Sequence, residues 1–142
     1  MKNTEIILID DDSVSLLLSE HFLGSSIASD KSTSVISFTS ARDGLCHIAK
    51  ELQESQGKAQ NIKILLDINM PEINGWQFLQ QLNLVDPDKN IRVIMHSSSI
   101  DINDMSAAFS DTRVDSYIAK PMMLNKADFV INLFTMNSEY IC

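Results

Sequence analysis

The chain has 142 residues, 44% of them hydrophobic and 21% charged, which suffices for one globular core and leaves no room for a second folded domain. Its 19 Asp and Glu outnumber 11 Lys and Arg, so the net charge of −8 argues against nucleic acid and anionic lipid and favours a protein or a cation as partner. No apolar run approaches the ~20 residues of a membrane helix, and the start of the chain lacks a signal-peptide core, so we expect a cytoplasmic protein.

Short apolar runs bounded by turn residues alternate with stretches of helical spacing. In chain order the predicted elements are strand 5–9, helix 13–23, strand 34–38, helix 41–52, strand 62–66, helix 76–84, strand 91–95, helix 102–109, strand 114–119 and a last helix around 127–134. A polar connection, 53–60, joins the second helix to the third strand. The alternation predicts a parallel sheet covered on both faces by right-handed crossovers.

Apolar spacing also predicts which helical faces are buried. In the first helix the expected buried stripe is Val14, Leu17, Leu18 and Phe22, and Gly24 is expected to end the helix. In the fourth helix the expected buried face is Ile102, Met105, Ala108 and Phe109. Cys46 and Cys142 are expected to be thiols, with Cys46 as a small core residue.

The predicted fold class is α/β, a doubly wound five-stranded parallel sheet of strand order 2-1-3-4-5, which is the flavodoxin-like (βα)5 architecture. This order opens a crevice between the carboxyl ends of the first and third strands, where open α/β sheets bind ligands. Asp10 and Asp11 follow the first strand, and Asp67 follows the third. Asp67 lies too far before Trp76 to cap the next helix, whereas Asn74 is placed to do so.

Carboxylates gathered at neighbouring strand ends repel one another, by about 4 kcal/mol per pair at ~4 Å and an effective dielectric constant of 20. A hard divalent cation relieves this repulsion, and oxygen ligands from Asp10, Asp11, Asp67 and the nearby Asn69 suit Mg²⁺ better than zinc. An alternative for Asp10 to Asp12 is a solvated helix N-terminus, with Asp12 or Ser13 as the cap.

Two further strand ends carry groups that suit an anionic ligand. Lys120 follows the fifth strand and precedes Pro121, and the bond before this proline is a candidate for cis geometry. A lone lysine is more commonly a surface residue, but at this position it can reach the carboxylates. Ser97 offers a hydroxyl after the fourth strand, although Ser98 and Ser99 are equally possible from the sequence. These groups would favour phosphorylation of Asp67, because phosphoryl transfer depends chiefly on positioning and charge neutralisation.

Four sequence blocks together resemble a known family. They are Ile7-Leu8-Ile9-Asp10-Asp11-Asp12, Leu65-Leu66-Asp67-Ile68-Asn69-Met70-Pro71 with Asn74-Gly75, Val93-Ile94-Met95-His96-Ser97-Ser98, and Tyr117-Ile118-Ala119-Lys120-Pro121. On these blocks the chain resembles the receiver domain of bacterial two-component response regulators, of the single-domain chemotaxis-regulator type. The resemblance covers essentially the whole chain, so we expect residues 1–142 to form one receiver domain.

The resemblance implies that Asp67 accepts phosphate from a phosphohistidine on a sensor kinase. It implies that Asp11, Asp67 and the Asn69 backbone carbonyl ligate Mg²⁺, with Asp10 acting mainly through water. Lys120 would then pair with the phosphoryl group.

The resemblance further implies that Ser97 is a switch hydroxyl and that Tyr117 turns inward with it, although spacing alone would make Tyr117 an ordinary strand aromatic. The signal would leave by protein contact, through the surface of the last two helices and the fifth strand or by transfer to a histidine phosphotransfer protein. His96 occupies a position that is usually apolar in the family and is expected to lie away from the site.

Three other functions remain open on the sequence. An aspartate-nucleophile, Mg²⁺-dependent phosphatase also uses a carboxylate at a strand end, but its nucleophile typically opens an Asp-x-Asp motif on the first strand. A flavin carrier shares the strand order, yet the loop after the first strand here is acidic, whereas phosphate-binding loops are rich in Gly, Ser and Thr. A receiver that serves only for docking would not need the Asp10, Asp11, Asp67 and Lys120 set. We therefore expect a phosphoacceptor that catalyses only its own phosphorylation and dephosphorylation.

Overall fold

The structure is a computed structural model that describes residues 3–55 and 61–136. These residues form strands and helices in strict alternation: β1 Thr4–Ile9, α1 Ser13–Ser26, β2 Thr33–Phe38, α2 Ala41–Glu54, β3 Ile62–Leu66, α3 Gly75–Val85, β4 Arg92–Ser97, α4 Ile102–Ser110, β5 Val114–Ala119 and α5 Leu124–Phe134. The strands form a parallel sheet of order β2-β1-β3-β4-β5, so the predicted fold is confirmed. None of the helices in the described part is long and apolar enough to cross a membrane.

The register of the sheet brings the strand ends to one edge. Ile9 pairs with Leu66, and the backbone N–H of Asp67 donates to the carbonyl of Ile9 (2.9 Å). On the other side of β3, the backbone N–H of Lys120 donates to the carbonyl of Ser97 (2.9 Å). Residues that follow β1, β3, β4 and β5 therefore meet at the carboxyl edge of the sheet.

Apolar side chains alternate between the two faces of the sheet and form two cores. Ile7 and Leu66 pack with α2 and α3 in one core, whereas Leu8 and Leu65 pack with α1 and α5 in the other. The central strands are thus buried on both faces, as their nearly continuous apolar runs predict. This burial fixes their register, because a one-residue slip would exchange the two faces.

The start of α3 is fixed by a capping box. The Asn74 side chain accepts from the Gln77 backbone N–H (2.9 Å), and the Gln77 side chain accepts from the Asn74 backbone N–H (2.9 Å). Gly75 follows the cap, and a Cβ atom here would lie 2.7 Å from the Asp67 carbonyl oxygen and 2.9 Å from Ile68 Cα. Only a glycine allows the helix to begin this close to the backbone of Asp67.

The predicted end of α1 is wrong, and so is its predicted face except at Phe22, which is half-buried against the core beneath α1 and α5. The helix continues through Gly24 and ends with Ile27 as its C-cap. Its buried residues are Ser15, Leu16, Ser19 and Leu23, whereas Val14 and Leu18 are exposed and Leu17 is 68% exposed. Two serines lie on the buried face, so the assumption that apolar residues alone mark the core side fails here.

Two other burial predictions are wrong. Of the predicted face of α4, only Ala108 is buried, while Ile102 is 74% exposed and Met105 and Phe109 are also exposed. Cys46 is exposed on α2 and does not fill the core. Most of the predicted 53–60 connection, and all of Cys142, lie outside the described residues.

A buried ion pair joins the loops before β4 and β5. Arg113 is fully buried, and its Nη1 donates to Asp86 Oδ2 (2.8 Å) and to the Ile91 carbonyl oxygen (2.9 Å). Its Nη2 donates to the Asp86 carbonyl oxygen (2.7 Å) and its Nε to Asn83 Oδ1 (2.9 Å). The charge is thus matched and four of the five N–H donors are used, which is close to what a buried guanidinium requires. The sequence interpretation did not identify this pair.

Candidate functional site

Three carboxylates converge at the carboxyl edge of the sheet. Oxygen atoms of Asp10, Asp11 and Asp67 all lie within 4.8 Å of one another. Asp10 and Asp67 are buried, whereas Asp11 is exposed at the mouth of the cluster. We call these three residues the acidic cluster. An oxygen-only donor set open to solvent on one side fits a hard divalent cation that keeps several water ligands.

Lys120 reaches the acidic cluster from the loop after β5. Its Nζ lies 2.7 Å from Asp10 Oδ2 and 3.5 Å from Asp67 Oδ1. The Lys120–Pro121 peptide bond is cis. Lys120 is therefore a partner of two buried carboxylates and not a free surface lysine.

The buried charges oppose one another. Burial and the neighbouring Asp10 charge raise the pKa of Asp67 to about 7, although Lys120 acts to lower it. Burial also acts to raise the pKa of Asp10, but the hydrogen bonds from Lys120 and the Asp12 backbone N–H hold it below its usual value. Burial acts to lower the pKa of Lys120, but its hydrogen bond to Asp10 and the two carboxylate charges raise it overall. Asp10 and Lys120 thus form an ion pair in which both groups stay charged. Asp67 is the carboxyl group that lacks a full counter-charge.

Ser97 at the end of β4 and Tyr117 on β5 both contact the Ser99 backbone in the loop after β4. Ser97 is fully buried, and its Oγ accepts from the Ser99 backbone N–H (3.1 Å). The Tyr117 hydroxyl donates to the Ser99 carbonyl oxygen (2.9 Å). Ser98 is exposed, and the Ser99 hydroxyl donates to Asp104 Oδ2 (2.7 Å). Of the three serines, Ser97 is the one held under the surface at the strand end.

Asn69 and Asp12 lie in the loops that carry the acidic cluster but are not among its three carboxylates. Asn69 is exposed in the loop between β3 and α3, two residues beyond Asp67. Asp12 caps α1, because its Oδ1 accepts from the backbone N–H groups of Val14 (3.0 Å) and Ser15 (3.4 Å). The third carboxylate of the Asp10–Asp12 run thus belongs to the helix, as the cap prediction allowed, and the first two belong to the cluster.

The family model described as "Response regulator receiver domain" matches residues 6–130. This chain belongs to the response regulator receiver family. It is 28% identical over 137 residues to the two-component response regulator ORR1 of Oryza sativa subsp. japonica, an alignment that covers 96% of this chain and 57% of that protein. This receiver chain therefore spans a little over half the length of that curated relative.

Solved structures agree with the assignment. A two-component response regulator from Cytophaga hutchinsonii superposes with a TM-score of 0.75 at 28% identity, covering 96% of this receiver and all of that chain (100%). A response regulator receiver protein from Dyadobacter fermentans DSM 18053 gives a TM-score of 0.69 at 24% identity, covering 92% of this receiver and 97% of that chain, and this likeness concerns the fold.

His96 is a buried histidine on β4, directly before Ser97. The side chain is 2% exposed, and its Nε2 has no hydrogen-bond partner among the described residues. Burial, and to a smaller extent the Lys120 charge, lower the pKa of His96 to about 4, although Asp10 acts to raise it. His96 therefore lies within electrostatic reach of Lys120 and Asp10. The signal available in the sequence was its place directly before Ser97, at the end of β4.

Proposed function

We propose that this receiver is a phosphoacceptor switch, in which Asp67 takes a phosphoryl group from a phosphohistidine on a sensor kinase or histidine phosphotransfer protein. The observation that carries the proposal is the meeting of three carboxylates and one ammonium group at the ends of β1, β3 and β5. The oxygen atoms of Asp10, Asp11 and Asp67 lie within 4.8 Å of one another, and Lys120 Nζ lies 3.5 Å from Asp67 Oδ1. Family membership supports the same reaction class.

The acidic cluster would hold Mg²⁺ through Asp11, Asp67 and the backbone carbonyl of Asn69. The oxygen-only donors fit this ion, and the Asp10–Lys120 ion pair (2.7 Å) agrees with an indirect role for Asp10 through water. When bound, the ion neutralises charge on the carboxylate and on the phosphoryl oxygens. It would also favour the ionised form of Asp67, whose pKa is about 7 in its absence.

Transfer would proceed by attack of an Asp67 carboxylate oxygen on phosphorus. The new O–P bond forms as the P–N bond to the donor imidazole breaks, and the imidazole nitrogen keeps the electron pair of that bond. Lys120 is placed to bind an oxygen of the transferred group, because its ammonium already lies 3.5 Å from Asp67 Oδ1. The chain supplies positioning and charge, which is most of what phosphoryl transfer requires.

The conformational change after phosphorylation would begin at the Ser97 hydroxyl group, whose proton can form a new hydrogen bond. Its Oγ accepts one hydrogen bond, from the Ser99 backbone, and within the described residues its own proton has no acceptor. A phosphoryl group on Asp67 offers strong acceptor oxygens, so the Ser97 hydroxyl would move toward it. That movement would disturb the Ser99 loop and hence the Tyr117 hydrogen bond. The change would reach the surface of α4 and β5, where a downstream protein would bind.

Phosphorylation by a small-molecule donor tests the proposal. With acetyl phosphate and Mg²⁺, intact-mass spectrometry should show one added phosphoryl group on the native chain and none on Asp67→Asn. Asp43→Asn is a matched control, because Asp43 is an exposed carboxylate on α2 outside the cluster, and it should be labelled like the native chain. Equal labelling of Asp67→Asn would contradict the proposal. Sustained turnover of a simple phosphomonoester would instead support the phosphatase alternative.

A further inference from the structure

A second group of potential metal ligands lies between β1 and α2. His47 and Glu51 are four residues apart on α2 and therefore share a face, and Glu5 reaches them from β1. His47 Nε2 lies 2.7 Å from Glu5 Oε1 and 3.4 Å from Glu51 Oε1, and one ligand atom from each residue lies within 4.8 Å of the others. The side chains are only 24% (His47), 26% (Glu5) and 36% (Glu51) exposed.

Two carboxylates crowd a single histidine in this group. The His47 ring packs against Phe38, with ring centroids 5.2 Å apart, which restricts its orientation while Nε2 contacts both carboxylates. Both carboxylates thus meet at one imidazole nitrogen, so a cation bound among the three residues would neutralise them together.

The distances between the three ligand atoms and the presence of an imidazole nitrogen indicate which class of cation would bind. Zn²⁺ binds imidazole nitrogen at ~2.0 to 2.1 Å and carboxylate oxygen at ~2.0 to 2.2 Å, so tetrahedral ligand atoms lie about 3.4 Å apart. The His47–Glu51 distance of 3.4 Å already matches, and the His47–Glu5 distance of 2.7 Å must widen by about 0.7 Å. An imidazole in the donor set favours late first-row transition metals over Mg²⁺.

We propose that Glu5, His47 and Glu51 bind a divalent transition-metal ion such as Zn²⁺, with water in the fourth position. Binding uses the Nε2 lone pair, so His47 must be neutral, with its remaining proton on Nδ1. The ion would tie the second half of α2 to the first residues of β1.

This metal site would be separate from the acidic cluster. Glu5 lies near the start of β1 and Asp10 directly after its end, so five residues of extended chain place them about 16 Å apart. An odd spacing also directs their side chains to opposite faces of the sheet. The proposal therefore does not depend on the phosphoacceptor function, and either can fail without the other.

Calorimetric titration of the untagged full chain with Zn²⁺ tests the site, with millimolar Mg²⁺ present to occupy the acidic cluster. The native chain should bind one Zn²⁺ per chain, and its melting temperature should rise with Zn²⁺. Affinity should fall by about tenfold or more in His47→Gln and in Glu51→Gln. His21→Gln, which removes an exposed histidine on α1, is the matched control and should bind like the native chain.

Three results would overturn the proposal. They are the absence of Zn²⁺ binding by the native chain, native affinity in both His47→Gln and Glu51→Gln, and loss of the bound Zn²⁺ in Asp67→Asn. The last result would assign the metal to the acidic cluster. Circular dichroism of each variant would establish that the fold is intact, and the two ligand variants provide independent tests if one of them folds poorly.

Discussion

The uncompensated charge of Asp67 makes the stability of the metal-free receiver depend on pH. The pKa of this carboxyl group rises from 3.8 to about 7 on folding, chiefly through burial and the Asp10 charge. A shift of about 3 units corresponds to about 4 kcal/mol between the two protonation states. Ionised Asp67 should therefore destabilise the folded chain, and Asp67→Asn should relieve that cost.

The direction in which stability changes with pH follows from how tightly the folded and unfolded chains bind the Asp67 proton. Below the unfolded-state pKa of 3.8 the carboxyl group is protonated in both states, so it causes no loss of stability. As the pH rises toward about 7, the folded chain holds the proton more tightly than the unfolded chain, and the free energy of unfolding falls. Between about pH 5 and about pH 8 the stability advantage of Asp67→Asn over the native chain should grow by about 2 to 3 kcal/mol.

Urea unfolding of both proteins in a chelating buffer at several pH values measures this advantage. Comparing the two proteins cancels the titration of groups remote from Asp67. Asp10 and Lys120 do not titrate between pH 5 and pH 8, because the pKa of Asp10 is lowered from 3.8 and that of Lys120 is raised from 10.5. Added Mg²⁺ should raise the stability of the native chain, by about 2.7 kcal/mol at a concentration 100 times its dissociation constant. An advantage that stays constant with pH would refute the electrostatic reasoning, even if Asp67→Asn is more stable throughout.

Other features of the structure give further predictions. Arg113→Met should lower the free energy of unfolding by about 3 to 5 kcal/mol in urea melts, because it leaves Asp86 buried without its counter-ion, and a loss below 1 kcal/mol would contradict this role. Gly75→Ala should cost about 1 to 3 kcal/mol and slow phosphorylation by acetyl phosphate, since its Cβ would press on the Asp67 backbone. Gly24→Ala is its control: the space beside this helical glycine is open, so thermal melts should show about 0.5 to 1 kcal/mol of added stability. Tyr117→Phe should cost about 0.5 to 1.5 kcal/mol through the lost hydrogen bond to Ser99, and unchanged stability would show that water replaces it.

Strand order could be predicted from the sequence because β1 and β3 carry nearly continuous apolar runs with charged residues directly after them. A run of this kind fits only a strand covered on both faces, and alternation with helices then fixes a parallel sheet. The convergence of Asp10, Asp67 and Lys120 follows from that topology, since the carboxyl ends of parallel strands share an edge. The cap at Asn74 could also be predicted, because capping is local.

Predictions failed where burial depends on tertiary packing. In α1 the small Ser15 and Ser19 are buried while Leu17 is exposed, and no local pattern distinguishes a serine on a closely packed face from one in solvent. Gly24 did not end the helix, because a glycine can remain in a helix at a cost of about 1 kcal/mol. Arg113 was missed for a related reason: its partners Asn83, Asp86 and Ile91 lie 22 to 30 positions away.

The wide spacing of the charged groups along the chain also affects biosynthesis. Residues 10, 67 and 120 follow three different strands, so a growing polypeptide shorter than 120 residues cannot assemble them. The ribosome must release β5 and the loop beyond it before the last ammonium group can join its partners. A chain that ends before Lys120 would keep Asp10 and Asp67 but lack the ammonium group that contacts both.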